Sequence, residues 1–206
     1  MLFVADHPLI LHKLSRLRHK DTPPPQFREL VYEISQYLFY EATRDVKLRK
    51  VSIPTPLVTA DCHELADRVG IVPVLRAGLG MANAMVDALP EASVWHVGMA
   101  RDHATWEPKT YYRNLPTGDK VDVLMILDPM LATGGSAVET IALLKAEGNK
   151  RIKFVGLIAS PEGVERLRAA HPDVPLILAA VDQKLDHNKY IVPGLGDAGD
   201  RQFGTA

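Results

Sequence analysis

The sequence has a single cysteine, Cys62, among its 206 residues. One cysteine excludes a disulfide within the chain and is typical of a protein from a reducing compartment. Residues 1–7 also lack the basic charges and the long apolar run of a secretory signal. From these absences we expect a cytoplasmic protein.

An excess of charge of one sign is also absent. The chain has 24 Lys and Arg against 25 Asp and Glu, for a net charge of −1 and a pI of about 6.7. This balance gives no electrostatic reason to bind nucleic acid or an anionic membrane. The most apolar stretches, such as residues 121–127, are far shorter than the roughly 20 residues of a transmembrane helix. We therefore expect neither a membrane nor a nucleic-acid partner.

Two common kinds of site are missing from the sequence. The eight histidines form no metal signature, since His7 and His12 are five residues apart and His96 falls within a strand pattern. No lysine stands beside Gly134 and Gly135, whereas a nucleotide P-loop needs the pattern G-x-x-x-x-G-K-[ST]. The second absence excludes a P-loop nucleoside kinase.

Strand and helix patterns alternate along the chain. Helical spacing of apolar residues is found at 26–43, 81–89 and 137–147, and Pro161 opens another helix. Apolar runs predict strands at 71–75, 94–99, 121–128, 154–159 and 175–181. This alternation predicts one α/β domain with a central, mostly parallel sheet flanked by helices.

Three stretches do not follow this rhythm. Prolines limit any strand in residues 50–58 to a sheet edge. Residues 101–119 are polar, lack clear periodicity and are long for a loop, so they are predicted to close over a ligand and exclude water. The tail from Tyr190 has four glycines and is predicted to be a packed loop rather than a regular element.

The most informative motif is at residues 126–136, Ile-Leu-Asp-Pro-Met-Leu-Ala-Thr-Gly-Gly-Ser, between a strand and a helix. Glycines at such a junction expose successive backbone N–H groups, and the helix N-terminus adds its positive dipole end. With the hydroxyls of Thr133 and Ser136 they predict a cradle for a monophosphate. The carboxylate of Asp128, at the carboxyl end of the strand, is suited to accept hydrogen bonds from sugar hydroxyls.

Two purely structural interpretations compete with the cradle. Ser136 and Glu139 have the spacing of a capping box. The pair Gly134-Gly135 is also compatible with a simple tight turn. Both alternatives stay open on the motif alone, because short motifs occur by chance.

The motif Asp-Pro-Met-Leu-Ala-Thr-Gly-Gly-Ser resembles the phosphoribosyl diphosphate signature of the type I phosphoribosyltransferases, in the form of their uracil branch. Three further segments agree: residues 40–43 (Tyr-Glu-Ala-Thr), 73–81 (Pro-Val-Leu-Arg-Ala-Gly-Leu-Gly-Met) and 190–200 (Tyr-Ile-Val-Pro-Gly-Leu-Gly-Asp-Ala-Gly-Asp). The similarity runs from His7 to Thr205. It implies the type I phosphoribosyltransferase fold as a single domain, 1–206, with a small hood formed by terminal segments, mainly residues 182–206.

The resemblance also implies roles for individual residues. Phosphoribosyl diphosphate, the donor, would be bound by Arg76, Arg101, Asp128, Pro129, Met130, Leu131, Ala132, Thr133, Gly134, Gly135, Ser136 and Asp197. Uracil would be bound by backbone groups in the tail, at Ile191, Gly196, Asp197 and Ala198. Catalysis would rest on Arg76, Arg101, Asp128 and Asp197. Arginine suits phosphate oxygens because it is a fork of donors that stays charged, although an arginine in a polar loop, such as Arg101, is more often simply solvated.

Three positions are notable within this resemblance. Pro129 stands where many phosphoribosyltransferases have a second acid, which is normal for the uracil branch and leaves Asp128 alone to address the ribose hydroxyls. Ala100 precedes Arg101 where an aromatic residue is usual. Lys189 occupies a place that is usually glycine. Neither Ala100 nor Lys189 removes a matching ligand residue, but both are expected to alter loop mobility or affinity.

The implied activity joins uracil to phosphoribosyl diphosphate and gives UMP and diphosphate, a step of pyrimidine salvage. The implied mechanism is substitution at the ribose C1 through an oxocarbenium-like state. Mg²⁺ is expected to arrive on the phosphates of the donor, and a homo-oligomer (dimer or tetramer) and a GTP effector are further implications. The competing hypothesis is a regulator of the same fold that binds RNA, which would need a basic face that the net charge does not favour.

Overall fold

The centre of the fold is formed by apolar runs that are buried on both faces. The computed structural model describes residues 1–101 and 108–205, with the backbone alone at positions 101 and 108. Every residue of the strands Val123–Leu127 and Ile152–Ala159 is buried. Such near-continuous burial is typical of a parallel sheet covered by helices on both sides, and it confirms the sequence-based expectation for these segments.

Helices and strands alternate through most of the described residues. The helices are α1 (Pro8–Arg18), α2 (Pro24–Ala42), α3 (Leu79–Ala88), α4 (Gly135–Ala146), α5 (Pro161–Ala170) and α6 (Ala198–Phe203). The strands are β1 (Leu2–Val4), β2 (Leu48–Pro54), β3 (Thr59–Leu65), β4 (Val69–Leu75), β5 (Ser93–Val94), β6 (His96–Arg101), β7 (Pro108–Asn114), β8 (Val123–Leu127), β9 (Met130–Leu131), β10 (Ile152–Ala159), β11 (Leu176–Val181), β12 (Lys184–Leu185) and β13 (Ile191–Val192).

The main sheet has the strand order β1-β11-β10-β8-β4-β6-β7, with β5 beside β4 and β9 beside β10. All of its pairings are parallel except that of β6 with β7. Side chains alternate between two cores: Met125 packs with α1, α2 and α3, whereas its neighbour Ile126 packs with α4 and α5. The sheet is therefore the middle layer between two layers of helices.

The two central strands, β4 and β8, are adjacent, but the chain leaves them in opposite directions. β4 leads through α3 to β6 on one side, and β8 leads through α4 to β10 on the other. The helices α3 and α4 pack on opposite faces of the sheet. A crevice opens at the carboxyl ends of the strands where this reversal occurs, and it is the usual ligand position in open α/β sheets.

Helix α2 follows its sequence pattern closely. The apolar positions that predicted it are each at most 2% exposed: Phe27, Leu30, Val31, Ile34 and Leu38. It begins at Pro24, which has the fixed φ favoured in a first helical turn. None of the helices within residues 1–101 and 108–205 is long and apolar enough to cross a membrane.

Two sequence interpretations need correction. Residues 101–119 are not a single loop, because residues 108–114 form β7, antiparallel to β6, with a bulge between Gly98 and Met99. The predicted closure falls mainly on residues 102–107, which lie outside the described residues. The expectation of an edge strand in residues 50–58 is instead confirmed, because β2 and β3 form a separate two-stranded antiparallel sheet in which both strands are edges. The glycine-rich tail contains a regular element, α6, whose N-cap is Asp197.

Candidate active site

A cavity of about 480 Å³ opens at the carboxyl ends of β4 and β8. Four segments form its walls: the end of β4 with the turn after it, the end of β6, the loop from β8 into α4, and the tail between β12 and α6. Predicted site residues on this wall are Arg76, Asp128, Met130, Leu131, Ala132, Thr133, Gly134, Gly135, Ser136, Ile191 and Asp197. The sequence motifs, far apart along the chain, thus meet at the switch point of the sheet, where the connections from β4 and β8 leave in opposite directions.

The loop into α4 has the geometry of an anion cradle. Gly134 has φ +76°, which is unfavourable for residues with a side chain. It is the N-cap of α4, and as a glycine it has no side chain that could bond to the first N–H groups of the helix. The first helical hydrogen bond runs from Val138 N–H to the carbonyl of Gly134, at 2.9 Å. The N–H groups of Gly135, Ser136 and Ala137 therefore have no acceptor within the helix.

The capping-box interpretation of this motif is wrong. Helix α4 begins at Gly135, so Ser136 lies inside the helix and not at its N-cap. Glu139 instead accepts a hydrogen bond from the hydroxyl of Thr110 on β7, at 3.1 Å. Because neither Ser136 nor Glu139 caps the helix, the N–H groups of its first turn are available to an anionic ligand.

The cradle is supported from behind by the start of α5. The Ser160 hydroxyl donates to the carbonyl of Ala132 at 2.6 Å and accepts from Gly163 N–H at 2.9 Å. A methyl group on Gly163 would lie 2.4 Å from the Ala132 carbonyl oxygen. The cradle loop and α5 are thus in direct backbone contact, which fixes the position of the loop.

Asp128 is the first residue after β8 and lies on the cavity wall. Its N–H donates to the carbonyl of Val155 at 3.2 Å, which continues the pairing of β8 with β10. Its Oδ1 accepts from the N–H of Met130, also at 3.2 Å. These bonds set the carboxylate at the strand end, next to the cradle, where sugar hydroxyls were predicted to bind.

Arg76 lies in the turn between β4 and α3 and lines the same cavity as the cradle. Its Nη2 donates to Oδ1 of Asp200 in the first turn of α6, at 3.1 Å. The hydroxyl of Thr205 donates to the same oxygen at 2.6 Å. This hydrogen bond and the nearby guanidinium keep the pKa of Asp200 below its usual value, although partial desolvation acts in the opposite direction.

The tail wall is built from β12, β13 and the turn before α6. Asp197 caps α6 by accepting from the N–H of Asp200 at 2.9 Å. Ile191 is 7% exposed and lies on the cavity wall, as does Asp197. Gly196, Ala198 and Pro129 do not lie on that wall, and the side chain of Arg101 falls outside the described residues.

Several wall residues were not assigned a role from the sequence: Val74, Leu75, Ala77, Met99, Ala137, Asn188 and Tyr190. The two departures from the family pattern, Ala100 and Lys189, also line the cavity, and Lys189 has φ +65°. Asp200 was likewise missed as the partner of Arg76. One sequence signal for the helix that carries Asp200 was available. Asp197 and Asp200 are three residues apart, which is the spacing of an N-cap residue and an acid in the first helical turn.

The sequence matches the family model described as uracil phosphoribosyltransferase over residues 4–205. The chain belongs to this family. A uracil phosphoribosyltransferase from Roseiflexus castenholzii is 57% identical over 99% of this chain and 98% of its own length. One from Dictyoglomus thermophilum is 52% identical over the full length of both chains.

Solved structures show the same fold. The AQ2163 protein from Aquifex aeolicus superposes with a TM-score of 0.95 at 34% identity, over 100% of this chain and 99% of its own. A hypoxanthine phosphoribosyltransferase from Staphylococcus aureus, at 13% identity and a TM-score of 0.52, covers 81% of this chain and 84% of its own and shares the fold alone. The predicted fold of the type I phosphoribosyltransferases is therefore confirmed.

Proposed function

We propose that the chain is a uracil phosphoribosyltransferase that converts uracil and phosphoribosyl diphosphate to UMP and diphosphate in pyrimidine salvage. The observation that carries this proposal is the meeting of a phosphate cradle, a carboxylate and an arginine around one cavity at the switch point of the sheet. The family assignment supports the choice of uracil as the acceptor. The RNA-binding alternative has no support in the comparisons or in the charge balance.

On the donor side, a different part of the cavity would bind each part of phosphoribosyl diphosphate. The free N–H groups at the start of α4 and the hydroxyls of Thr133 and Ser136 would bind the 5′-phosphate. Asp128 would accept hydrogen bonds from the ribose hydroxyls. Arg76 would bind the diphosphate, with Arg101, the last residue of β6, as a second cation.

The acceptor side is the tail. Uracil has an acceptor–donor–acceptor edge. Backbone groups of Ile191, on the cavity wall, would read it without charged side chains, together with those of Gly196 and Ala198, which flank the wall residue Asp197 in the sequence. The segment 182–205, which contains β12, β13 and α6, would act as the hood over the base. Asp197 lies on the cavity wall, where it would face the donor and the Mg²⁺ ion that the donor carries.

The reaction needs little covalent help from these residues. The bond between N1 of uracil and C1 of the ribose forms as the bond from C1 to the diphosphate oxygen breaks. The diphosphate leaves with the electrons of that bond, and the N1 proton of uracil is released to solvent. Positive charge develops at C1 and negative charge on the leaving group. Holding the two substrates in line and neutralising the leaving diphosphate with arginine and Mg²⁺ would lower the barrier.

Magnesium enters this proposal as part of the substrate. The ion keeps several waters and binds through few carboxylates when it is carried by phosphates. The described wall has two carboxylates, Asp128 and Asp197, a donor set that fits such a hydrated ion. Omission of Mg²⁺ from the assay should therefore abolish turnover, and its return should restore it.

A cytoplasmic location, a homo-oligomeric state and activation by GTP are further proposals that rest on the single cysteine and on the family. Fractionation of the source cells, light scattering on the purified protein and the rate with and without GTP test them in turn. They do not affect the assignment of the reaction.

The decisive experiment measures UMP formation from uracil, phosphoribosyl diphosphate and Mg²⁺ by chromatography. We expect turnover with uracil and none in the absence of the donor. Formation of no nucleotide, together with retention on RNA that weakens with salt, would instead support the RNA-binding alternative.

A further inference from the structure

A buried ion pair joins two distant parts of the chain beneath the base-binding tail. Arg18 is the last residue of α1, and Asp182 directly follows β11. Arg18 Nη1 donates to Asp182 Oδ2 at 2.7 Å, and Nη2 donates to Oδ1. The Asp182 side chain is only 4% exposed and that of Arg18 is 22% exposed. This is the two-point geometry in which an arginine–carboxylate pair is strongest.

Both members of the pair also bond to Gly194. Arg18 Nη1 donates to the Gly194 carbonyl at 2.7 Å, and the Gly194 N–H donates to Asp182 Oδ2 at 2.9 Å. The two backbone polar groups of Gly194 are thus held by a single ion pair. Gly194 has φ +65°, and a methyl group there would lie 2.0 Å from the Ile191 carbonyl oxygen. The conformation of this residue is therefore tightly defined.

Gly194 occupies the centre of the segment that is proposed to read uracil. Ile191 precedes it by three residues, and Gly196 and Ala198 follow it by two and four. The regular structure of this segment is slight, since β13 pairs with β12 through two residue pairs only. A second arginine helps to hold it, because Arg201 Nη1 donates to the Leu195 carbonyl at 2.7 Å. The tail depends on charged side chains, rather than on a sheet, for its shape.

Stability alone is a weak reason for such a pair. A buried ion pair loses its hydration, and well-packed apolar residues are often equally stabilising in its place. What apolar residues cannot do is donate to one backbone group of Gly194 and accept from the other. The pair therefore acts on the orientation of the loop backbone, which is the property that recognition through backbone groups requires.

We propose that Arg18 and Asp182 are positioning residues for base recognition, a proposal that rests on the function proposed above. By fixing Gly194 they set the spacing between the backbone groups that face the edge of the pyrimidine. Neither residue lies on the cavity wall, so they act through the loop and not on the substrate. They should influence uracil binding and base selectivity, and leave donor binding unchanged.

The test compares this pair with a more exposed ion pair of the same two-point geometry at the opposite end of the sheet. Arg68 and Asp122 also form a two-point pair, with Asp122 in addition accepting from a backbone N–H, at the amino ends of β4 and β8. The site variants are Arg18→Met, which keeps the apolar stem, and Asp182→Asn, which keeps the shape. Arg18→Lys keeps the positive charge but lacks the paired donors of the guanidinium, and it replaces Arg18→Met as the test variant if Arg18→Met does not fold. The control is Arg68→Met.

Four quantities are measured for each variant: the KM for uracil, the ratio of kcat/KM for uracil to that for cytosine, the Kd for phosphoribosyl diphosphate, and amide hydrogen exchange of residues 190–197. In the site variants we expect the KM for uracil to rise at least tenfold and the selectivity ratio to fall at least tenfold. The donor Kd should stay within twofold, and residues 190–197 should exchange faster. The control should leave all four quantities near those of the wild type.

Two results would overturn the proposal. The first is unchanged exchange of residues 190–197 in the folded site variants, and the second is faster exchange with uracil KM and selectivity equal to those of the control. Hydrogen exchange measures the order of the loop without requiring turnover. Its result can therefore be interpreted whether or not the proposed reaction is correct. A wild-type chain that formed no UMP would refute the proposed reaction, whereas the exchange data would still decide whether the ion pair orders the loop.

Discussion

Arg76 and Asp200 form an ion pair, with 3.1 Å between Nη2 and Oδ1, across 124 positions of sequence. The pair connects the turn after β4 to the first turn of α6, in the tail that is proposed to bind the base. Asp200 is itself fixed, since its N–H donates to Asp197 and its Oδ1 accepts from Thr205. The arginine proposed to bind the diphosphate is thus already oriented by an anchored carboxylate.

This relationship predicts the effect of Asp200→Asn. The variant keeps the shape of the side chain but removes the charge that orients Arg76, so the guanidinium would have to be ordered by the donor itself. We expect the Kd for phosphoribosyl diphosphate, measured by calorimetry, to rise about three- to tenfold, the scale of a charge-assisted hydrogen bond at a partly exposed site. Asp122→Asn, far from the cavity, is the control. Tighter donor binding would contradict the prediction and show that Asp200 competes with the diphosphate for Arg76.

The ribose contact predicts a larger effect for Asp128→Asn. Removing the charge weakens the hydrogen bonds that the carboxylate would accept from the ribose hydroxyls. We expect kcat/KM for the donor to fall by a factor that corresponds to about 1.5–3 kcal/mol of transition-state stabilisation. Activity within twofold of the wild type, in a variant with an unchanged melting temperature, would show that Asp128 is structural.

The cradle is tested by two glycines that share an unusual backbone conformation. Gly134 in the cradle has φ +76°, and Gly148 at the far end of α4 has φ +87°. An added methyl group on Gly134 would lie 3.0 Å from the Gly163 carbonyl oxygen, whereas on Gly148 its nearest neighbour would be at 3.8 Å. The two positions therefore separate the effect of backbone strain from that of the site.

We expect Gly134→Ala and Gly148→Ala both to lower stability by about 1–2 kcal/mol, because each forces alanine into the left-handed region. Only Gly134→Ala should weaken donor binding, by at least about tenfold (~1.4 kcal/mol), since it displaces the N–H groups of the cradle. Calorimetry with phosphoribosyl diphosphate and thermal melts measure the two effects separately. Equal donor affinity in the two variants would exclude the cradle as the phosphate site.

Much of this site was predictable from the sequence, because its main motif lies within one short segment. The cradle needs a strand, an acid, two glycines and a helix within eleven consecutive residues, so periodicity and turn chemistry suffice to locate it. The strands β4, β8 and β10 were predictable for the same reason, since their apolar runs are continuous. Helix α6 was missed because four glycines in the tail obscured the N-cap signal of Asp197.

The contacts that complete the site were not predictable in the same way. Arg18 meets Asp182 from 164 positions away, and Arg76 meets Asp200 from 124 positions away. Neither pair has a spacing that a local pattern could reveal, because both depend on how the sheet and helices bring the tail back to the core. Strand β7 was missed for a related reason. It gains its partner only on the edge of the sheet, where Thr110 and Tyr112 pair with Met99 and Gly98 of β6.

The ion pair at the amino ends of the strands predicts a pH dependence of stability. Hydrogen bonds from the Arg68 side chain and backbone N–H lower the pKa of Asp122 to about 2. Because its folded pKa is below the unfolded value, near 3.9, this group stabilises the fold above about pH 4 and loses that contribution as the pH falls toward 2. Urea unfolding should show that Asp122→Asn is less stable than the wild type at pH 7. The difference should shrink below pH 4, and a difference independent of pH would contradict this assignment.

Base choice is the prediction that separates the acceptor site from those of purine-using relatives of the same fold. Backbone groups in an ordered loop present fixed donors and acceptors to the base. Uracil offers O2, N3–H and O4 along one edge, whereas cytosine has an amino donor in place of O4 and a lone pair at N3. Two of the hydrogen bonds to uracil would therefore become a donor–donor and an acceptor–acceptor contact with cytosine.

Buried polar groups that are left without a partner each cost about 1–3 kcal/mol, so two of them should favour uracil over cytosine by at least about 100-fold in kcat/KM. Hypoxanthine and adenine should be rejected by size as well, whereas 5-fluorouracil keeps the edge, adds one small atom and should be accepted. The measurement is a competition series of these five bases at one donor concentration, with nucleotide products separated by chromatography. Turnover of cytosine or hypoxanthine at a rate comparable to that of uracil would mean that the tail does not read the pyrimidine edge. The donor site would be unaffected by that result, because the cradle, Asp128 and Arg76 lie on the other walls of the cavity.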